Sequence, residues 1–271
     1  MLAMAVGLVD TVMVSSVGEA AVSGVSLVDM INQLMINIFA ALATGGSVVA
    51  AQYIGHREED KACKAANQLL LVSLFFSLVL AAFCLLVNRS MLRLFFGSIE
   101  PEVMSSAVTY FVLSALSYPF LAVYNSGAAL FRAMGNSRIS LKISLLMNVL
   151  NTGFNAVFIF GLDMGVAGAA LGSLAARGTA AVIICLLLKN PGLMVHFVRF
   201  GKHPLQMDMA KKILYIGVPN GLENGMFQLG RILVVSIISG FGTTQIAANA
   251  VANNLDGVGV IPGQALSLIH I

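Results

Sequence analysis

Residues 69–87 read LLLVSLFFSLVLAAFCLLV, a run with no charge, interrupted only by Ser73 and Ser77. The hydrocarbon core of a bilayer takes about 20 mostly apolar residues as one helix. A helix that is apolar on every side belongs in lipid or in a very large core. The same pattern recurs along the chain. It predicts eight spans, near 1–17, 27–54, 67–88, 104–131, 139–161, 165–188, 211–239 and 245–265. Composition agrees: 58% of the 271 residues are hydrophobic and 10% are charged, where a soluble domain has about 45–50% and 25%. The mean hydropathy is +0.92. These values exclude a soluble enzyme, a nucleic-acid module and a disordered tail. Cys63, Cys84 and Cys185 are odd in number, far apart and without metal-ligand spacing, so they are read as small buried hydrophobes. The first span has no basic lead-in and contains Asp10, unlike a signal peptide.

The formal charge is +3, but in a membrane protein its placement matters more. Arg57, Lys61 and Lys64 fall in one inter-span loop, and Arg132, Arg138 and Lys142 in another. Lys189, Arg199, Lys202, Lys211 and Lys212 fall in a third segment. The opposite loops hold only Arg89 and Arg93. Basic loops stay in the cytoplasm, so the 54–67, 131–142 and 188–212 segments are expected there. Arg177, near the cytoplasmic end of its span, is expected to snorkel.

Residues 14–23, VSSVGEAAVS, align with residues 238–247, ISGFGTTQIA, at an offset of 224 that superposes Gly18 on Gly242. Both read as outer hairpins between spans of the same direction. A Pro- and Lys/Arg-bearing linker separates six spans from the next pair. Parallel repeats of this kind are a transporter signature. The predicted fold is all-α, a polytopic transmembrane helix bundle. It comprises a six-helix lobe over 1–188, a cytoplasmic linker over 189–210, and the first two helices of a second lobe over 211–271. The chain opens inside one span and stops inside another, which reads as truncation at both ends, with the closing LSLIHI read as an artefact.

An ionisable group inside a span costs several kcal/mol and needs a reason. Asp10 lies about 12 Å below the outer hairpin at 1.5 Å per residue, a depth at which a carboxyl can bind a proton or a small cation. Asn148, Asn151 and Asn155 fall at i, i+3 and i+7 of the fifth span, so they share a face; they read as amide ligands or as interhelical glue. Asn220, Glu223, Asn224, Gln228 and Arg231 follow Pro219 along the seventh span. Gln33, Asn37 and Thr44 mark one face of the second. Tyr118, Tyr124, Asn125 and Arg132 lie in the fourth, where Pro119 predicts a bend. From these the candidate cavity residues are Gln33, Asn37, Tyr124, Asn148, Glu223, Asn224 and Gln228. No catalytic motif or nucleotide-binding loop is present, so the chain reads as a non-enzyme without a cofactor.

Five motifs resemble one family. Val9-Asp10-Thr11-Val12-Met13 followed by Gly18, Ala51-Gln52-Tyr53-Ile54-Gly55, Phe131-Arg132-Ala133-Met134-Gly135-Asn136-Ser137-Arg138, Asn151-Thr152-Gly153-Phe154-Asn155 and Gly165-Val166-Ala167-Gly168-Ala169-Ala170 are similar, in order, to motifs of multidrug and toxic compound extrusion (MATE) transporters. The third departs by Asn136, where Asp is usual. The resemblance implies a twelve-helix, two-lobed antiporter exchanging cationic or amphipathic small molecules for inward H⁺ or Na⁺. It places Asp10, Asn151 and Asn155 at the cation site, with no metal beyond possible Na⁺ at Asp10. Some members carry Asp at the position of Asn155. Some carry a Glu at the position of Phe227, with Glu223 here one turn earlier. It further implies a multi-pass protein of a bacterial inner membrane, monomeric at full length, with the bilayer and organic small molecules as partners and no nucleic acid. The alternatives are a lipid-linked sugar flippase of the same superfamily, or an inactive fragment.

Overall fold

A computed structural model describes residues 11–97, 99–196, 206–253 and 255–256. It is built of long helices, with no strand among the described residues. They are α1 (Glu19–Gly55), α2 (Glu59–Phe96), α3 (Pro101–Leu116), α4 (Tyr118–Ala133), α5 (Ser137–Ala156), α6 (Gly165–Leu188) and α7 (Met207–Ser239). Residues 11–15 and 243–253 are also helical. A π-helical turn, Val157–Gly161, extends α5. Among the described residues, α1, α2, α6 and α5 with its π turn are long and apolar enough to cross a membrane. The pair α3–α4 makes a fifth span, bent by 48°. The polar α7 is not of this class. Spans predicted at 1–17 and 245–265 fall partly outside the described residues.

Most of the helices exceed their predicted lengths; α6 keeps the predicted bounds. α1 begins at Glu19 rather than 27 and runs 37 residues, about 55 Å at 1.5 Å per residue. α7 starts at Met207, inside the stretch expected to be linker. The bend arises as predicted. Pro119 has no N–H to continue α3, and the chain turns at Ser117, whose N–H donates to the Ser114 carbonyl at 2.9 Å.

The ends expected to be cytoplasmic come together. Gln206 N–H donates to Gln68 Oε1 at 3.0 Å, and Lys212 Nζ donates to the Tyr53 hydroxyl at 3.3 Å. Two of the family-like motifs are helix stops at this end. Arg57 N–H reaches the Ile54 carbonyl and Glu58 N–H the Tyr53 carbonyl; Gly135 N–H reaches Arg132 and Asn136 N–H reaches Phe131. Both are Schellman turns, with Arg57 (φ 60°) and Gly135 (φ 76°) in the left-handed position.

The internal repeat is visible in backbone geometry. Gly18 and Gly242 have φ of 134° and 114°, values that L side chains rarely adopt. Each follows a matching turn, Val17 N–H to Val14 and Phe241 N–H to Ile238. Each accepts from the residue four later, Val22 and Ile246. The two hairpins touch, Ser23 Oγ donating to the Thr243 carbonyl at 3.1 Å.

The core runs through α1, which packs against α2, α3, α4 and α7. Leu27, Val28, Ile31, Phe39, Phe111, Tyr118 and Phe131 are fully buried in it. α1 and α7 cross where neither has a side chain in the way. A Cβ on Gly45 would lie 2.8 Å from the Gly217 nitrogen. Small residues permit such backbone contact in membranes, where dispersion replaces the hydrophobic effect. We therefore expect Gly45→Ala to destabilise by about 1–3 kcal/mol through overpacking. Gly217→Ala, whose Cβ meets nothing nearer than 3.3 Å, should cost less. Thermal unfolding in detergent ranks the two, and equal melting temperatures would refute the crossing.

Candidate functional site

Of the expected cation site, α5 and α6 supply the described part. Asn151 and Asn155 lie one turn apart on α5 and both look onto α6. Asn151 Nδ2 donates to Ser173 Oγ at 3.0 Å. Asn155 is buried, and its side-chain oxygen occupies the place where a Cβ of residue 172 would stand. Only glycine at 172 leaves that room. Asn148, a turn earlier, is half-buried. The helix widens into its π turn two residues after Asn155, a geometry common at functional sites. Asp10 lies outside the described residues.

The expected cavity residues divide. On α1, Gln33 is exposed and donates from Nε2 to Asn37 Oδ1 at 3.4 Å. With Asp29, Ala40 and Thr44 they line one open face. On α7, Glu223 and Asn224 are exposed, and Asn224 Nδ2 bonds back to the Asn220 carbonyl at 2.9 Å. Two residues lie elsewhere than an open wall. Tyr124 is 7% exposed and packs in the hydrophobic core, because α4 turns that side toward its neighbours. Gln228 is buried against α1, donating to the Met30 carbonyl at 3.3 Å. The α7 stripe is thus split between a helix contact and an open edge.

Arg177 does not snorkel. Its Nη1 donates to Ser117 Oγ at 2.6 Å, at the α3–α4 break. There the positive charge meets the carbonyl end of α3, which carries partial negative charge. Sequence reading also passed over Asp29 and Asn32. Placing the span's start at 27 put Asp29 near the outer surface. In the structure it is ten residues into α1, about 15 Å down. All three cysteines are free thiols, Cys63 and Cys84 buried and Cys185 half-buried.

Gly172→Ala is expected to displace Asn155 and cost about 1–3 kcal/mol. Gly178→Ala, on the same helix with nothing within 4 Å of its Cβ, should be neutral or mildly stabilising. Recovery of the Gly172→Ala melting temperature by adding Asn155→Ala would locate the clash; no recovery would place the cost elsewhere.

Comparison with known proteins bears on this arrangement. The MatE family model matches residues 1–157, more than half of the chain. An uncharacterized transporter, YisQ of Bacillus subtilis, is 25% identical over 268 residues, covering 97% of this chain and 58% of its own length. The probable multidrug resistance protein NorM of Thermotoga maritima is 26% identical, covering 98% and 58%. The fold matches an inward-facing multidrug resistance MATE family transporter of the MOP superfamily with a TM-score of 0.83 at 23% identity, over 97% of this chain and 59% of that one. This chain thus spans somewhat over half the length of its relatives, which are multi-pass membrane transporters rather than enzymes. The family match over the first 157 residues and the helical bundle agree, and the chain belongs to the MatE family of multidrug efflux transporters.

Proposed function

We propose that this chain is the first lobe, and the start of the second, of a secondary antiporter. It would export cationic or amphipathic organic compounds in exchange for inward H⁺ or Na⁺. The observation that supports this reading most is the pair Asn151 and Asn155. They are amides on successive turns of a membrane-crossing helix, both turned onto α6, one of them in a space that Gly172 keeps open. Amide oxygens hold Na⁺, and amides also hydrogen-bond a protonated carboxyl. Asp10, eight residues before Gly18 in the sequence, supplies the carboxylate in this reading.

In the proposed cycle the ion enters from outside and occupies Asp10 with the two amides. Loading favours the state that releases substrate outward, by the difference in ion affinity between the two states. The lobes then move against each other and the ion leaves inward. The glycine crossing of α1 and α7 gives that motion a smooth contact. The full-length protein is proposed to act as a monomer in a bacterial inner membrane.

Growth of drug-sensitive cells expressing the full-length gene tests this reading. Resistance to ethidium or norfloxacin should fall to the empty-vector level with Asp10→Asn, at unchanged membrane abundance. Equal resistance from both genes would remove Asp10 from the mechanism.

A further inference from the structure

A second ionisable group sits in the same lobe, and the cycle above does not use it. Asp29 of α1 accepts two hydrogen bonds on Oδ1, from Tyr110 Oη of α3 at 3.2 Å and from Asn32 Nδ2 at 3.3 Å. The Asn32 amide also reaches Ser114 Oγ at 3.3 Å, and its oxygen accepts from the Tyr118 hydroxyl at 3.0 Å. Ser117 Oγ donates to the Ser114 carbonyl at 2.6 Å and accepts from Arg177 at 2.6 Å. One chain of hydrogen-bonding groups thus runs from a carboxylate on α1, through the bend between α3 and α4, to a guanidinium on α6. Asn32, Ser114, Ser117 and Tyr118 are buried. Asp29 itself is exposed.

That exposure has a direction. Asp29, Gln33, Asn37 and Thr44 follow at i, i+4, i+8 and i+15, and Asp29, Gln33 and Thr44 are exposed. Lipid does not cover a carboxylate and two amides on one face, so in the antiporter reading this face borders the cavity between the lobes. Asp29 therefore presents its carboxylate to whatever enters. The other charged and titratable groups around it are few. They are Tyr110 from α3, Tyr118 from α4 with Cys84 of α2 beside it, and Arg177 from α6. α7, packed against α1, carries Glu223 and Arg231 on its exposed side, Arg231 Nη2 donating to Asn253 Oδ1 at 3.5 Å.

We infer that Asp29 is a cation-binding carboxylate of the central cavity, which takes a proton and the cationic group of an organic substrate in alternation. Arg177 senses its charge. With Asp29 ionised, the guanidinium is balanced through the chain of bonds. With Asp29 protonated, Arg177 keeps only Ser117 and the carbonyl end of α3, so the bend and the Asp29 charge are coupled. The inference rests on the antiporter reading for its substrate class, but Asp29 lies on a different helix pair from Asn151 and Asn155.

The test is calorimetric binding of tetraphenylphosphonium to the full-length protein in detergent, in two buffers of different ionisation heat, so that protons released are counted. Asp29→Asn should weaken binding about tenfold, a modest loss for a charge pair of this kind, and should release fewer protons than wild type. Asp29→Asn keeps the acceptor oxygen and the side-chain shape, so it is expected to fold. Arg177→Gln should lower the melting temperature by stranding the Asp29 charge, and Asp29→Asn in that background should restore part of the loss. Unchanged affinity and proton count in Asp29→Asn would overturn the inference. So would absence of tetraphenylphosphonium binding by the wild type, or a double variant no more stable than Arg177→Gln alone. Binding as expected, with no transport driven by an H⁺ or Na⁺ gradient, would instead overturn the antiporter reading and leave the Asp29 site standing.

Discussion

Hydrocarbon offers no partner to a polar group, and this constraint shapes the lobe. A lipid-exposed N–H or carbonyl left unpaired costs several kcal/mol. Each break in a helix must therefore be answered from within the protein. Pro119 breaks the fourth span, and the answer comes from Ser117, which bonds back to Ser114. Arg177 crosses from α6 to the same point. A bend that would be unaffordable in lipid becomes a fixed feature that joins α1, α3, α4 and α6 through buried polar side chains.

The same constraint orders the packing. Between helices in a membrane there is little hydrophobic gain, so contact depends on how closely the backbones approach. Gly45 and Gly217 bring α1 and α7 together with no side chain between them, and Gln228 adds one hydrogen bond across that contact. The end expected to face outward is held by repeated geometry. Two hairpins 224 residues apart use glycine in the same backbone region and meet through Ser23. A smooth, glycine-lined crossing with matched hairpins above it suits two bodies that shift against each other.

The helical bundle was legible in the sequence because hydropathy is a strong, long-range signal. Residues 165–188, apolar but for Ser173, Arg177 and Thr179 and opened by glycines, form a helix with the boundaries expected. The bend at Pro119 was legible because the physical effect of proline is local. Helix ends were not, because amphipathic extensions such as Glu59–Asn67 and Glu19–Ser26 continue a helix beyond its apolar core. That shift of boundary hid Asp29. Asn151 and Asn155 were legible as a pair, since i and i+4 share a face. The burial of Tyr124 was not legible because an aromatic ring in a span packs equally well in a core or on a wall. Arg177 was misread because a cation near a helix end snorkels unless a partner reaches it, and the Ser117 partner lies 60 residues away in sequence.

The central claim is that polar groups in this lobe bind the cation whose gradient drives export. Reconstituting the full-length protein in liposomes and imposing an H⁺ or a Na⁺ gradient, with ethidium as the reported substrate, addresses it most directly. Ethidium should move against its own gradient when one of the two ions is supplied, and stop when that gradient is collapsed by an ionophore. Movement that persists without any ion gradient, or that needs ATP, would contradict the account.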